Sequence, residues 1–78
     1  MRYEVRLQPN PTSGTVTVES GEWRVESVTV TDMAGRKVMV SHLLPFASQL
    51  DISHLSPGVY LVTVVTDHDS STQRLVVQ

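Results

Sequence analysis

Apolar and polar residues alternate with period two along most of this chain, a pattern that predicts strands and not helices. Tyr3, Val5 and Leu7 share one face of a first strand. Pro9-Asn10-Pro11 stops it, because proline lacks an amide donor and restricts the residue before it. Gly14 releases a turn into a second strand, Thr15 to Glu19, with Val16 and Val18 inward, and Ser20-Gly21-Glu22 reads as the next turn. Trp23 and Val25 lie on one parity, whereas Val28 and Val30 lie on the other. A parity switch requires an extra residue, so a bulge or break is expected at Glu26-Ser27, followed by a strand from about Val28 to Met33. Asp32-Met33-Ala34-Gly35 reads as a turn with Gly35 available for positive φ. Arg36 to Ser41 resumes a strand with Val38 and Val40 inward.

Beyond that point His42 to Ser48 carries Pro45, shows no clear period and is long enough to cross between two sheets. Gln49 to Ile52 is a short strand with Leu50 and Ile52 inward, and Ser53 to Gly58 is a tight corner whose Leu55 plugs the core. Val59 to Val65 is apolar on both faces and is therefore expected at the centre of a sheet. Asp67 to Ser71 forms a polar hairpin loop, and Thr72 to Gln78 closes the domain with Leu75 and Val77 on one face and Val76 on the other. The expectation is an all-β fold, an immunoglobulin-like Greek-key β-sandwich of about seven strands, in a single domain over residues 1–78.

Composition narrows the function classes. A chain of 78 residues makes one small domain, and with no cysteine it has neither a disulfide nor a thiolate metal site. Hydrophobic residues make up 40% of the chain, and valine, which suits a pleated surface, dominates them. Six basic residues face eight acidic ones and no basic stripe is present, which argues against nucleic acid as a partner. No apolar run approaches the ~20 residues of a membrane helix. Charges at Arg2, Glu4 and Arg6 occupy the place where a signal peptide needs an apolar core.

Catalytic and metal chemistry find little support. His42, His54 and His68 are 12 and 14 residues apart, each in or beside a loop, which is not ligand spacing. Asp67-His68-Asp69 offers oxygens but lacks a third carboxylate at calcium-loop spacing, so a solvated hairpin tip is the better reading. Asp51, Ser53 and His54 do not form a triad, since neighbouring strand residues point to opposite faces; Asp51 and Ser53 instead suit the backbone groups of the corner. No cofactor or metal is expected, nor an enzyme. Tyr60 is the strongest single candidate for a partner contact, but a tyrosine after a glycine corner also suits a structural role, ring on the core and hydroxyl on nearby backbone, and that role is favoured. Trp23 has the same two readings, core-edge anchor or binding platform, with the anchor favoured. Arg36-Lys37 reads as an exposed strand start.

Four segments in order carry a family likeness. They are Pro9-Asn10-Pro11-Thr12-Ser13-Gly14 before a Thr/Val strand; Val30-Thr31-Asp32-Met33-Ala34-Gly35-Arg36-Lys37-Val38; Leu50-Asp51-Ile52-Ser53-His54-Leu55 with Pro57-Gly58-Val59-Tyr60-Leu61-Val62; and Arg74-Leu75-Val76-Val77-Gln78. Over nearly its whole length the chain resembles the C-terminal sorting domain of proteins exported by the type IX (Por) secretion system of Bacteroidetes. The resemblance implies a seven-stranded sandwich without enzyme activity, excised here from a larger precursor. It also implies an N-terminal cargo domain, passage through the periplasm, recognition by an outer-membrane translocon, and removal by a sortase-like peptidase at the cell surface. Cargo then stays on the surface or enters the medium. By position the family's motifs fall on Pro9, Pro11 and Gly14, on Gly35, on Gly58 and Tyr60, and on Arg74, Leu75, Val76, Val77 and Gln78. Arg74 stands where lysine is common, and Gln78 ends the chain where the family often has lysine.

The docking route expected from these features is edge or surface docking: strand addition at a last strand with Leu75 and Val77 buried and its far side unpaired, or contact with motif loops whose glycines fix a constant shape. An exposed edge also makes a homodimer possible. The alternative reading is a carbohydrate- or protein-binding β-sandwich module of a secreted enzyme, although four aromatics (Tyr3, Trp23, Phe46 and Tyr60) are few for a sugar platform.

Overall fold

Alternation becomes two antiparallel sheets packed face to face. The computed structural model describes residues 5–19, 25–44 and 47–78, with residues 41–44 and 47–48 described in backbone only. Expectations for Tyr3, the turn at 20–22, Trp23, Pro45 and Phe46 lie outside the described residues. The strands are β1 (Arg6–Gln8), β2 (Thr15–Glu19), β3 (Val25–Asp32), β4 (Lys37–Leu44), β5 (Ala47–Asp51), β6 (Gly58–Thr66) and β7 (Ser70–Val77). One sheet has the order β1-β2-β5 and the other β4-β3-β6-β7. The chain passes between sheets after β2, after β4 and after β5, as an immunoglobulin-like Greek-key sandwich requires.

Valine spacing decides which face of each strand turns inward. Val16, Val18, Val25, Val28, Val30, Val62 and Val64, with Ile52 and Leu75, are the largest fully buried side chains, and each contributes about 1.5–3 kcal/mol relative to exposure. Leu55 packs against this cluster from the corner, as its position predicts. β6 is an inner strand, flanked by β3 and β7, which agrees with its apolar run.

Several features differ from the sequence expectation, and β7 is one: it starts at Ser70, inside the loop expected to run to Ser71. The parity switch is a bulge inside one strand: pairing with β6 shifts between Val25 and Ser27, so Val25, Val28 and Val30 all point inward and β3 begins at Val25. A second shift, between Val30 and Thr31 in the β3–β4 pair, makes Val38 the extra residue of β4; Val38 packs against the core as expected, and the parity of the strand switches after it. Met39 lies opposite Val30 and packs on the core, while Val40 lies opposite Thr29 and is 47% exposed, so Val40 is not inward. β4 also runs to Leu44 and β5 starts at Ala47, which leaves only residues 45 and 46 between the sheets where a longer crossover was expected.

The β6–β7 hairpin is organised by Thr66, which is buried. Its hydroxyl donates to the carbonyl of Asp69 at 3.0 Å and accepts from the amides of His68 and Asp69 at 3.2 and 3.0 Å. That turn lies at one end of the sandwich. The motif residues lie at the other.

Candidate functional site

Strand register, more than any single residue, builds the site. Asp32 at the end of β3 lies opposite Tyr60 near the start of β6, and Gly58 lies opposite Val77 at the end of β7. Thr12 forms a parallel bridge with Val77, and the amide of Ile52 donates to the carbonyl of Gly14 at 2.9 Å. The β3–β4 turn, the corner before β6, the segment after β1 and the end of β7 therefore meet at one end of the molecule.

The β3–β4 turn is closed by Asp32. Its Oδ1 accepts from the amides of Ala34 and Arg36 at 2.9 and 3.0 Å, and the Gly35 amide donates to the Asp32 carbonyl at 3.0 Å. Gly35 has φ 88, a left-handed conformation that a side chain resists. The Arg36 Nε donates to Asp32 Oδ2 at 3.0 Å, so this guanidinium is tied to its own turn. The hydrogen bond from the Arg36 amide, helped by the Ala34 amide and the guanidinium, holds the Asp32 carboxyl below its ordinary pKa.

The corner before β6 uses the same chemistry. Asp51 Oδ1 accepts from the Ser53 amide at 3.0 Å and from its hydroxyl at 2.6 Å, an Asx turn that lowers the Asp51 pKa. The hydroxyl proton of Ser53 is thus committed to a carboxylate within the turn; Asp51 satisfies a backbone amide as expected, whereas the Ser53 side chain bonds Asp51 and not the backbone. Tyr60 is buried and its hydroxyl donates to the Ser56 carbonyl at 2.6 Å, which is the structural role. Among the described residues no group of three His, Cys, Asp or Glu side chains gathers to hold a metal.

The N-terminal motif does what its sequence did not announce. The Gln8–Pro9 and Asn10–Pro11 bonds are cis, and Asn10 turns its carboxamide onto the free edge of β7. Nδ2 donates to the Arg74 carbonyl at 2.8 Å, and Oδ1 accepts from the Val76 amide at 3.0 Å. Next along, the Thr12 amide donates to the Val76 carbonyl at 2.9 Å and the Gln78 amide donates to the Thr12 carbonyl at 2.8 Å. The far side of β7 from Arg74 to Gln78 is therefore occupied, which corrects the expectation of an unpaired edge. Thr12 itself is buried, and its hydroxyl donates to the Thr15 carbonyl at 2.8 Å.

Of the motif positions, Pro9, Pro11, Gly14 and Gln78 line one groove of about 490 Å3, together with Thr17 and Gln49. Gly35 lies in the β3–β4 turn and Gly58 opens β6, Arg74 is exposed, Val76 is half-buried, and Leu75 and Val77 are core. Asn10 and Thr12 are the residues sequence reasoning passed over. The prolines on either side of Asn10 carry no amide donor, and the Asn10 carboxamide, with a donor and an acceptor, is a side chain suited to pair in their place.

The family model described as "Secretion system C-terminal sorting domain" matches residues 6–78. The chain belongs to that family. As a type IX sorting domain it is a secretion signal that works with the type IX machinery and directs export to the cell surface or medium. Domains of this kind generally act as signals and not as catalysts. No curated protein matches the chain.

Proposed function

We propose that the motif-bearing end of the sandwich is the surface the outer-membrane translocon reads, and that the domain is cut from its cargo by a sortase-like peptidase after crossing from the periplasm. The observation that carries this reading is the convergence of four sequence-distant segments, residues 9–14, 32–36, 51–60 and 74–78, on one end. The groove between Pro9, Pro11, Gly14 and Gln78 gives that end a concave contact surface whose lining side chains are uncharged. Because Asn10 and Thr12 already occupy the edge of β7, recognition reads the assembled end, and strand addition at Val76 requires the clamp to be displaced. For a homodimer through strand edges, β4 offers one edge, at the opposite side of its sheet, and β1 and β5 are the edges of the other sheet.

Fusing residues 1–78 to a signal-bearing fluorescent reporter in a type IX-competent host tests the reading. Surface or medium fluorescence, and its loss when Pro11 and Gln78 are both replaced by bulky charged residues, is expected. Periplasmic retention of the unsubstituted fusion would sink the proposal.

A further inference from the structure

The inner face of β4-β3-β6-β7 is buried, but its outer face is not composed like a solvated surface. Register places Lys37, Thr31, Leu61 and Arg74 in one row across the four strands, and Val40, Thr29, Thr63 and Thr72 in the next. Val59 and Val76 pair beside them, nearer the motif end. Val40 is 47% exposed and Val59 37%, two of the three large apolar side chains that stand exposed among the described residues. Lys37 and Arg74 end their row at opposite edges of the sheet, three strand spacings or about 14 Å apart. None of these rows holds a carboxylate.

We propose that this outer face docks on a protein surface that carries carboxylates toward two sides and apolar groups opposite Val40, Leu61 and the Val59–Val76 pair. Complementarity of charge selects that occupant. A second copy of the same face is disfavoured, because an in-plane two-fold axis sets Lys37 or Arg74 of one copy against a cation of the other. A membrane is disfavoured as well. Two cations near an anionic surface are worth only about 1 kcal/mol each, and the row that begins with Val40 is otherwise threonine, with the Thr63 and Thr72 hydroxyls 3.0 Å apart and bonded to each other. Of the residues involved, Val59, Arg74 and Val76 lie in the proposed recognition segments and the others do not, so the surface extends beyond them.

The test uses the full chain fused to a signal-bearing reporter in a type IX-competent cell, with a photoreactive amino acid placed at Val40, at Val59 or, on the opposite sheet, at Glu19. Positions 40 and 59 are expected to give an adduct with one protein, identified by mass spectrometry, and position 19 is not. The double variant K37E/R74E cuts adduct yield by about tenfold or more, since like charges face each other, and K37Q/R74Q gives a smaller loss. Absence of an adduct, a self-adduct, a lipid-sized adduct or a yield indifferent to both variants would overturn the proposal. Adduct formation without export would count against the proposed function while upholding this surface.

Discussion

The side chain of Asn10 bonds the backbone of Val76, 66 residues away, at 3.0 Å, and thereby ties the first motif of the chain to the last. With its second bond, to the Arg74 carbonyl, the carboxamide imitates one residue of a paired strand. The prolines on either side cannot donate such bonds themselves.

Asn10→Ala removes two hydrogen bonds, each worth about 0.5–1.5 kcal/mol net, so a loss of about 1–3 kcal/mol is expected in a urea titration. Asn10→Asp keeps the acceptor for Val76 and loses the donor to Arg74, setting a carboxylate against a carbonyl. It should fare no better than alanine. An Asp variant as stable as the parent would show that the Arg74 bond contributes nothing.

Tyr60→Phe deletes only the hydroxyl that reaches Ser56. The ring still fills the core, so the expected cost is about 1 kcal/mol, read as a drop of roughly 4–8 °C in Tm for a domain this small. Leu75→Ala, at a fully buried position, should cost about 2–5 kcal/mol and unfold much of the population. Its export defect would therefore follow its melting temperature, a correlation that parallel assays would reveal.

Gly35 and Gly14 separate folding from recognition. Alanine at Gly35 meets no neighbouring atom, yet φ 88 makes it strained, at about 1–2 kcal/mol. Alanine at Gly14 meets open space at an ordinary φ, so stability should hold within about 0.5 kcal/mol. An export defect in a stable Gly14→Ala domain would place that residue in the contact itself.

Acid should weaken the β3–β4 and β5–β6 turns. Asp32 and Asp51 both have folded pKa values below their ordinary 3.8, the first through the Arg36 amide and the second through the Ser53 hydroxyl. The unfolded chain binds those protons more readily, so their stabilisation is complete above that value and fades as pH falls through the folded pKa. Asp32→Asn should flatten the pH dependence of stability below pH 3.8, measured by denaturant melts, and leave it unchanged near neutrality.

Much of the fold was legible because a sheet repeats every two residues. Val16 and Val18, Leu50 and Ile52, and Leu75 and Val77 announce their inward faces by alternation alone, and the parity break between Val25 and Val28 announces the bulge. Turn chemistry at Asp32-Met33-Ala34-Gly35 and at the corner before Tyr60 is equally local, since each side chain bonds backbone within four residues. Only the tertiary structure decided that Val40 faces outward, because the shift between Val30 and Thr31 belongs to a pair of strands and not to either one. It alone placed Asn10 on Arg74 and Val76, closing the edge that alternation left open. Contacts across more than sixty residues leave no period in the sequence; they arise when two sheets pack and bring distant turns to the same end.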